Sequence, residues 1–154
     1  MPGILVGVDG SDHSHRALAW AMRQAVQQRA PLTVLAVRPD PVRPATGIYW
    51  GVHNYPEDSH NAEAASKAVQ ESVDQVANEI GGRPPEVAVN VATGDPAEEL
   101  IRASQDADML VVGSRGSGGF ASLLMGSVSS KVTHHADCPV VVIRGSRQGS
   151  QAGR

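Results

Sequence analysis

The chain has 154 residues, 41% of them hydrophobic, and a formal net charge of −3, which is the size and composition of one globular domain. No cluster of lysine and arginine stands out, so we expect no contact with nucleic acid. No apolar run approaches the roughly 20 residues of a membrane span, and the first residues do not follow the pattern of a secretory signal. The single cysteine, Cys138, excludes an internal disulfide and indicates a reducing compartment. These features predict a cytoplasmic protein that does not contact membranes.

Short apolar segments alternate with amphipathic segments along the chain. Strands are predicted at residues 4–8, 32–38, 86–91, 109–112 and 139–144, and helices at residues 14–29, 61–80, 97–105 and 126–135. Most strand segments are apolar at nearly every position, as strands buried on both faces of a parallel sheet are, whereas the third alternates and is expected nearer a sheet edge. The signals for helix ends are a Ser or Asp among residues 9–12, a stop at Ala30-Pro31, the glycines Gly81 and Gly82, and Asp95 before Pro96.

This alternation of strands and helices predicts an α/β domain with a parallel sheet covered on both faces. In such sheets, ligands bind beyond the carboxyl ends of the strands, where the strand order reverses. Asp9, Val37 with Arg38, and Gly113 all stand at predicted carboxyl ends. Their expected convergence is the main structural argument from the sequence for a binding site.

Two segments interrupt the regular pattern. Residues 39–60, which contain several prolines together with Tyr49 and Trp50, are predicted to form a long loop. Loops of this length are usually functional or mobile, and both an aromatic cover over a base and a surface excursion without a role stay open. The tail at residues 145–154 is rich in Gly, Ser, Gln and Arg and is expected to be disordered, which leaves residues 1–144 as the folded domain.

A glycine-rich segment connects the fourth strand to the last helix. Gly113 and Gly116 are separated by two residues, and nine further residues lead to Gly126-Ser127. Glycine allows backbone N–H groups to approach an anion closely, and a helix N-terminus adds unpaired donors and partial positive charge. The segment therefore predicts a phosphate cradle without lysine, to which the Ser127 and Ser129 hydroxyls can add hydrogen bonds and Arg115 can add charge.

Two better-known phosphate motifs do not fit this segment. The pattern GxxxxGK[ST] is absent, because no lysine follows the glycines. Gly116, Gly118 and Ala121 match GxGxxA formally, but they do not open a helix directly, and Asp137 is poorly placed as the acidic ribose ligand. We therefore reject a dinucleotide fingerprint.

The Gly-x2-Gly-x9-Gly-Ser spacing resembles the ATP-binding subgroup of the universal stress protein family. The segments ILVGVDGSDHS, LTVLAV, ATGDPAEELI, ADMLVVGSRG and HHADCPVVVI also resemble blocks of that family, so the resemblance covers about residues 2–144. It implies a Rossmann-like fold of the adenine nucleotide alpha hydrolase type, with a five-stranded parallel sheet in the order 3-2-1-4-5. It also implies bound ATP, with Mg²⁺ as an optional companion, and a homodimer built through the C-terminal strand.

The same resemblance implies roles for particular residues. Asp9 is expected at the ribose and adenosine end, with Gly7 in the strand that leads to it, and Val37 is expected at the adenine through its backbone. The ribose and phosphates are expected beside Gly113, Ser114, Arg115, Gly116, Ser117, Gly118 and Gly119, and the phosphate end beside Gly126, Ser127, Val128 and Ser129.

The predicted function is that of an ATP-binding universal stress protein which acts as a nucleotide-dependent regulator or sensor. No nucleophile–base pair is apparent, so catalytic residues are not predicted, although Asp9 holding a divalent cation would permit slow ATP hydrolysis. A dimeric interaction module that uses no nucleotide is a third reading. We interpret Cys138 as a packed thiol, and the histidine pair 134–135 as a surface or dimer contact rather than a metal site. His13 and His15 stand near the site, where a solvated helix face competes with a phosphate role.

Overall fold

The computed structural model describes residues 2–38, 62–115 and 125–145. Within these ranges strands and helices alternate, and their bounds are β1 Ile4–Val8, α1 Asp12–Gln28, β2 Leu32–Arg38, α2 Ala62–Ile80, β3 Val87–Thr93, α3 Pro96–Ser104, β4 Met109–Gly113, α4 Ser127–His135 and β5 Val140–Ile143. Every predicted element is present, with bounds that differ by at most two residues. The predicted loop at residues 39–60 and the tail from residue 146 onward lie outside the described residues.

The five strands form one parallel sheet in the order β3-β2-β1-β4-β5. This order confirms the Rossmann-like arrangement. β1 is buried at every residue, whereas β5 is partly buried at every residue and β3 is only partly buried or exposed. The difference follows from position, because β1 has a neighbour on both sides and β3 and β5 are the edges. The alternating sequence of β3 therefore predicted its edge position correctly.

Helices cover both faces of the sheet. α1 and α2 pack on one face against residues that include Ile4, Val6 and Val8 of β1. α3 and α4 pack on the other face, which receives the intervening Leu5. Because both faces are apolar, each fully buried aliphatic side chain contributes about 1.5–3 kcal/mol relative to exposure. No helix among the described residues is long and apolar enough to cross a bilayer.

The ends of α1 and α2 are reached in different ways. α2 ends at Gly81 as expected, with φ 72° and with the Gly81 N–H donating to the Ala77 carbonyl. α1 was expected to stop at Ala30-Pro31. Its last helical residue is Gln28, and the C-cap residue Arg29 adopts the left-handed conformation with a φ of 52°. A left-handed conformation is unusual for a residue with a side chain, and nothing in the local sequence indicates that Arg29 adopts it.

Candidate functional site

Three of the predicted site residues lie at the carboxyl ends of neighbouring strands, which share one edge of the sheet because all five strands are parallel. β1 is flanked by β2 on one side and by β4 on the other, so the strand order reverses beside it. Asp9 directly follows β1, Val37 is the second-last residue of β2, and Gly113 is the last residue of β4. Open α/β sheets bind ligands in the crevice beyond these carboxyl ends, at the point where the strand order reverses.

Asp9 is 1% exposed and orders the turn between β1 and α1. Its Oδ1 accepts a hydrogen bond of 2.8 Å from the Ser11 backbone N–H and another from the Ser11 hydroxyl. Its own N–H donates to Ser14 Oγ at 3.2 Å. The sequence left open whether Asp9 orders its turn or contacts a ligand. The structure establishes the first role, and the second stays a prediction.

Two serines make hydrogen bonds with each other's backbone at the start of α1. Ser11 is the N-cap and accepts the Ser14 N–H at 3.2 Å, while the Ser14 hydroxyl donates to the Ser11 carbonyl at 3.0 Å. Asp12 adds negative charge to the first turn. A helix start that is capped and acidic is poorly suited to an anion. Sequence reasoning missed this role of Ser14, although a Ser three residues after an N-cap Ser was visible.

The start of α4 is different. Its N-cap is Gly126, with φ −75° and ψ 168°, and no side chain caps the helix. No acidic residue lies in its first turn. Among the described residues no acceptor pairs with the backbone N–H groups of Ser127, Val128 and Ser129, which are the donors that a helix start leaves unsatisfied. These donors and the helix dipole together form a ready anion site.

Ser114 fixes this helix start to the sheet. It is 4% exposed, and its carbonyl accepts hydrogen bonds from the Gly126 N–H at 2.6 Å and from the Ser129 hydroxyl at 3.0 Å. The Ser129 hydroxyl also lies 3.0 Å from the Gly126 carbonyl, so its hydrogen is directed at the protein. The expected hydrogen bond from the Ser129 hydroxyl to a phosphate is therefore not available in this arrangement. The exposed Ser127 side chain remains free to make one.

Gly113 has a packing role that the sequence did not indicate. A Cβ added to it would lie 2.9 Å from the His13 carbonyl oxygen, 3.0 Å from the His13 carbonyl carbon and 3.2 Å from its Cβ. The first turn of α1 therefore lies directly against the end of β4. Arg115 is half-buried at the end of this described stretch, while Gly116, Ser117, Gly118 and Gly119 lie outside the described residues.

Val37 extends past the central strand. The pairing of β2 with β1 ends at Ala36, whereas its pairing with β3 continues through Val37 to Arg38. Val37 therefore has no paired residue in β1 and lies one residue beyond the last pair of that ladder, while its contact with adenine stays a prediction. Gly7, by contrast, is paired with Leu35 inside the sheet and is buried.

The histidines and the cysteine outside this edge have structural surroundings. His134 Nδ1 lies 2.7 Å from the Ser130 carbonyl, and His15 pairs with Glu79 at 3.3 Å on the exposed faces of α1 and α2. Burial raises the pKa of the Cys138 thiol, in agreement with a packed thiol. Among residues 2–38, 62–115 and 125–145, no group of three or more His, Cys, Asp or Glu could hold a metal ion.

Comparison with known sequences identifies the same family along nearly the whole chain. The universal stress protein family matches residues 2–144. The chain is 36% identical over 153 residues to a universal stress protein of Mycolicibacterium smegmatis, which covers 99% of this chain and 51% of that protein. It is 31% identical over 144 residues to one of Mycobacterium tuberculosis, covering 94% and 48%. The chain thus spans about half the length of the curated relatives it matches.

Solved structures agree with the sequence comparison. The universal stress protein UspA of Lactobacillus plantarum superposes with a TM-score of 0.74 at 26% identity, covering 93% of this chain and 97% of that one. A universal stress protein in complex with cAMP has a TM-score of 0.66 at 24% identity, with coverages of 94% and 98%. An Arabidopsis thaliana family protein with AMP bound has a TM-score of 0.62 at 21% identity and covers 99% of both chains. The chain belongs to the universal stress protein family.

Proposed function

We propose that the protein binds an adenine nucleotide, in particular ATP, and acts as a nucleotide-dependent regulator or sensor of the stress response. One observation carries the proposal: α4 begins at Gly126 without a side-chain cap and without an acidic residue, directly beside the end of β4. The Gly113-x2-Gly116-x9-Gly126-Ser127 spacing leads to this helix start. The family proteins solved with cAMP and with AMP support the adenine nucleotide class.

The contrast among the helices supports our placing of the phosphates at α4. The first turn of α1 carries Asp12 and that of α3 carries Glu98 and Glu99, whereas the first turn of α4 carries no acid. A helix start has the equivalent of about half a positive charge, which a side-chain carboxylate at the same end neutralises. In our proposal the N–H groups of Ser127, Val128 and Ser129 hold the phosphate end.

The adenosine end belongs on the other side of β1. Our proposal places the adenine at Val37, one residue beyond the last pair of the ladder with β1, and the ribose near Asp9. The loop residues Gly113, Ser114, Arg115, Gly116, Ser117, Gly118 and Gly119 then lie along the ribose and phosphates. We also propose a cytoplasmic location, which the single cysteine supports.

A change at Gly126 tests the phosphate site directly. Its φ and ψ are those of an ordinary N-cap, so Gly126→Asp is compatible with the backbone and places a carboxylate over the first-turn N–H groups. We expect calorimetric titration to show ATP binding to the wild type and at least about tenfold weaker binding to the variant, since the added carboxylate competes with and repels the phosphates. Because Gly126 is buried, the thermal stability of the ligand-free variant is measured in the same samples, and the affinities are compared for a variant that folds.

The matched control is Gly82→Asp, which adds the same charge at a glycine with only Val26 methyl groups near its Cβ position. It should bind ATP like the wild type. A Gly126→Asp protein that folds and binds ATP undiminished would remove the phosphate assignment. A wild type that binds none of ATP, ADP, AMP and cAMP would leave the interaction module without nucleotide as the better reading.

We propose binding rather than catalysis. Mg²⁺ normally combines one or two carboxylates with phosphate oxygens, and Asp9 lies at the right edge, but its Oδ1 already accepts two hydrogen bonds from Ser11. Bound Mg²⁺ would neutralise phosphate charge, and Asp9 is the residue that could approach it. Phosphate release from ATP and Mg²⁺ that disappears in Asp9→Asn, which keeps an acceptor for Ser11, would instead establish slow hydrolysis.

We also propose a homodimer through β5. Leu110 N–H donates to the Pro139 carbonyl and Ser114 N–H to the Ile143 carbonyl, so alternate residues of β5 direct their backbone groups at β4. The backbone groups of Val140 and Val142 consequently point away from β4. They can pair with a strand of a second copy, and the side chains of β5 are apolar. Val142→Pro removes one outward donor without touching the β4 ladder. Sedimentation at micromolar concentration should give a dimer for the wild type and a monomer for this variant, and a monomeric wild type would contradict the proposal.

A further inference from the structure

One buried polar atom has no partner. His13 Nδ1 is the single buried side-chain nitrogen or oxygen without a hydrogen bond among the described residues. Buried polar groups are paired in the large majority of cases, because an unmade hydrogen bond costs the full desolvation of the group. A nitrogen left unpaired in the free protein is therefore a candidate for a partner that arrives with a ligand.

The position of His13 connects this atom with the nucleotide edge. His13 is in the first turn of α1, and its backbone lies against Gly113, the first glycine of the phosphate motif. Its imidazole reaches past the end of β4 toward β5: Nδ1 and Cε1 lie 3.7 and 3.6 Å from the point where a Cβ of Gly145 would be. The imidazole therefore stands at the carboxyl ends of both β4 and β5, where the motif segment leaves the sheet.

A cation accompanies the imidazole. Arg16 follows His13 by three residues and shares its side of α1. A guanidinium nitrogen of Arg16 lies 2.8 Å from the same point beside Gly145. The Arg16 residue is exposed, so its long side chain can change rotamer beside the imidazole. The imidazole of His13 and the guanidinium of Arg16 thus both lie beside Gly145, and an imidazole N–H and a guanidinium are donors suited to an anionic oxygen.

We propose that His13 Nδ1 donates a hydrogen bond to a phosphate oxygen of the bound nucleotide, with Arg16 as a second donor. This inference rests on the proposed function. It places the phosphates between the N–H groups of α4 on one face of the sheet and His13 with Arg16 on the other face. The competing explanation is that His13 only fills space between α1 and the ends of β4 and β5.

The test compares two ligands and five proteins, one of which is a control. ATP and adenosine are titrated by calorimetry into the wild type, His13→Leu, His13→Asn and Arg16→Gln. Because a hydrogen bond to a charged group is lost, we expect His13→Leu to bind ATP roughly ten- to a hundredfold more weakly while adenosine binding stays the same. His13→Asn, whose amide can stand near the Nδ1 position, should recover part of the ATP affinity.

The matched control is His15→Leu, which makes the same substitution two residues away at a histidine paired with Glu79. It should leave both affinities unchanged. If His13→Leu binds ATP like the wild type, or loses ATP and adenosine equally, the inference is overturned while nucleotide binding stands. If the wild type binds neither ligand, the proposed function fails with it.

Folding is checked in the same samples. The ligand-free His13→Leu protein should melt at or above the wild-type temperature, since the substitution removes an unpaired buried nitrogen. Should it not fold, Arg16→Gln carries the test through an exposed side chain, with about three- to tenfold weaker ATP binding expected and adenosine again unaffected. An Arg16→Gln protein with unchanged ATP affinity would then overturn the proposal.

Discussion

A methyl group at Gly113 separates steric packing from ligand contact. In Gly113→Ala the new Cβ would lie 2.9 and 3.0 Å from the carbonyl oxygen and carbon of His13 and 3.2 Å from its Cβ. Carbon atoms pack best at about 3.5–4.0 Å, and two of these three neighbours are backbone atoms that cannot rotate away. The first turn of α1 must therefore shift from β4. Overpacking of this kind lowers the free energy of unfolding by about 1–3 kcal/mol.

Denaturant unfolding of a glycine series measures the effect. Gly82→Ala is the control, because its Cβ would meet only Val26 methyl groups at 3.8 and 4.0 Å and its backbone needs no positive φ. We expect it to be neutral or more stable by about 0.4–1 kcal/mol. Gly81→Ala has open space but a φ of 72°, so it should lose about 1 kcal/mol through backbone strain alone.

The series has a clear refuting result. If Gly113→Ala unfolds at the same denaturant concentration as Gly82→Ala, α1 does not press on β4 as described. In thermal unfolding the expected loss corresponds to a melting temperature about 2–12 °C lower. Reduced ATP binding by Gly113→Ala would not identify a ligand contact, because the same substitution moves the start of α1. Gly126→Asp is the sharper probe of the site for this reason.

Three further predictions concern stability and reactivity. Arg29→Gly should raise the free energy of unfolding by about 0.5–1 kcal/mol, because glycine adopts a φ of 52° without strain. The control Arg23→Gly, at an exposed helical position, should lower it by about 1 kcal/mol, and equal denaturation midpoints for the two variants would contradict the reasoning. Leu100→Ala should cost about 2–5 kcal/mol, because Leu100 is fully buried between α3 and the sheet, and a change below 1 kcal/mol in urea unfolding would be inconsistent with that packing. Cys138 should react with iodoacetamide at pH 8 more slowly than glutathione does, since a raised pKa lowers the thiolate fraction at that pH, and an equal or faster rate by mass spectrometry would count against its burial.

The fold was largely accessible from the sequence, for physical reasons that particular elements make plain. β1 and β2 are apolar at nearly every position because both faces of a central parallel strand are covered, and their predicted bounds agree with the structure. Asp95 and Pro96 start α3 as predicted, since both act within one turn of chain. The start of α1 was predicted two residues late, although Ser11, which is among the predicted capping residues, is its N-cap. The left-handed conformation of Arg29 at the other end depends on no residue type that marks it.

The site was accessible only in part. The Gly126-Ser127 helix start and the strand-end positions of Asp9 and Val37 follow from motif spacing and parallel topology. The contact of Gly113 with His13 depends on the distance between α1 and β4, which no local pattern encodes. The same holds for Ser129, whose hydroxyl is directed at Ser114, fifteen residues earlier in the chain. Both residues belong to the predicted site, and each has a structural role in addition to any role in binding.

Ser114 gives the two proposed interfaces a common residue. Its carbonyl accepts from Gly126 and Ser129 at the start of α4, and its N–H donates at 2.9 Å to Ile143 in the edge strand. A ligand bound by the N–H groups at the start of α4 would thus contact a helix end that Ser114 connects by hydrogen bonds to β5, the strand proposed to pair with a second copy. Thermodynamic linkage then makes the effect reciprocal: a nucleotide that tightens the dimer by some factor binds the dimer more tightly by the same factor. The dimer dissociation constant with and without ATP, compared with the ATP affinity at low and high protein concentration, measures that factor from both sides.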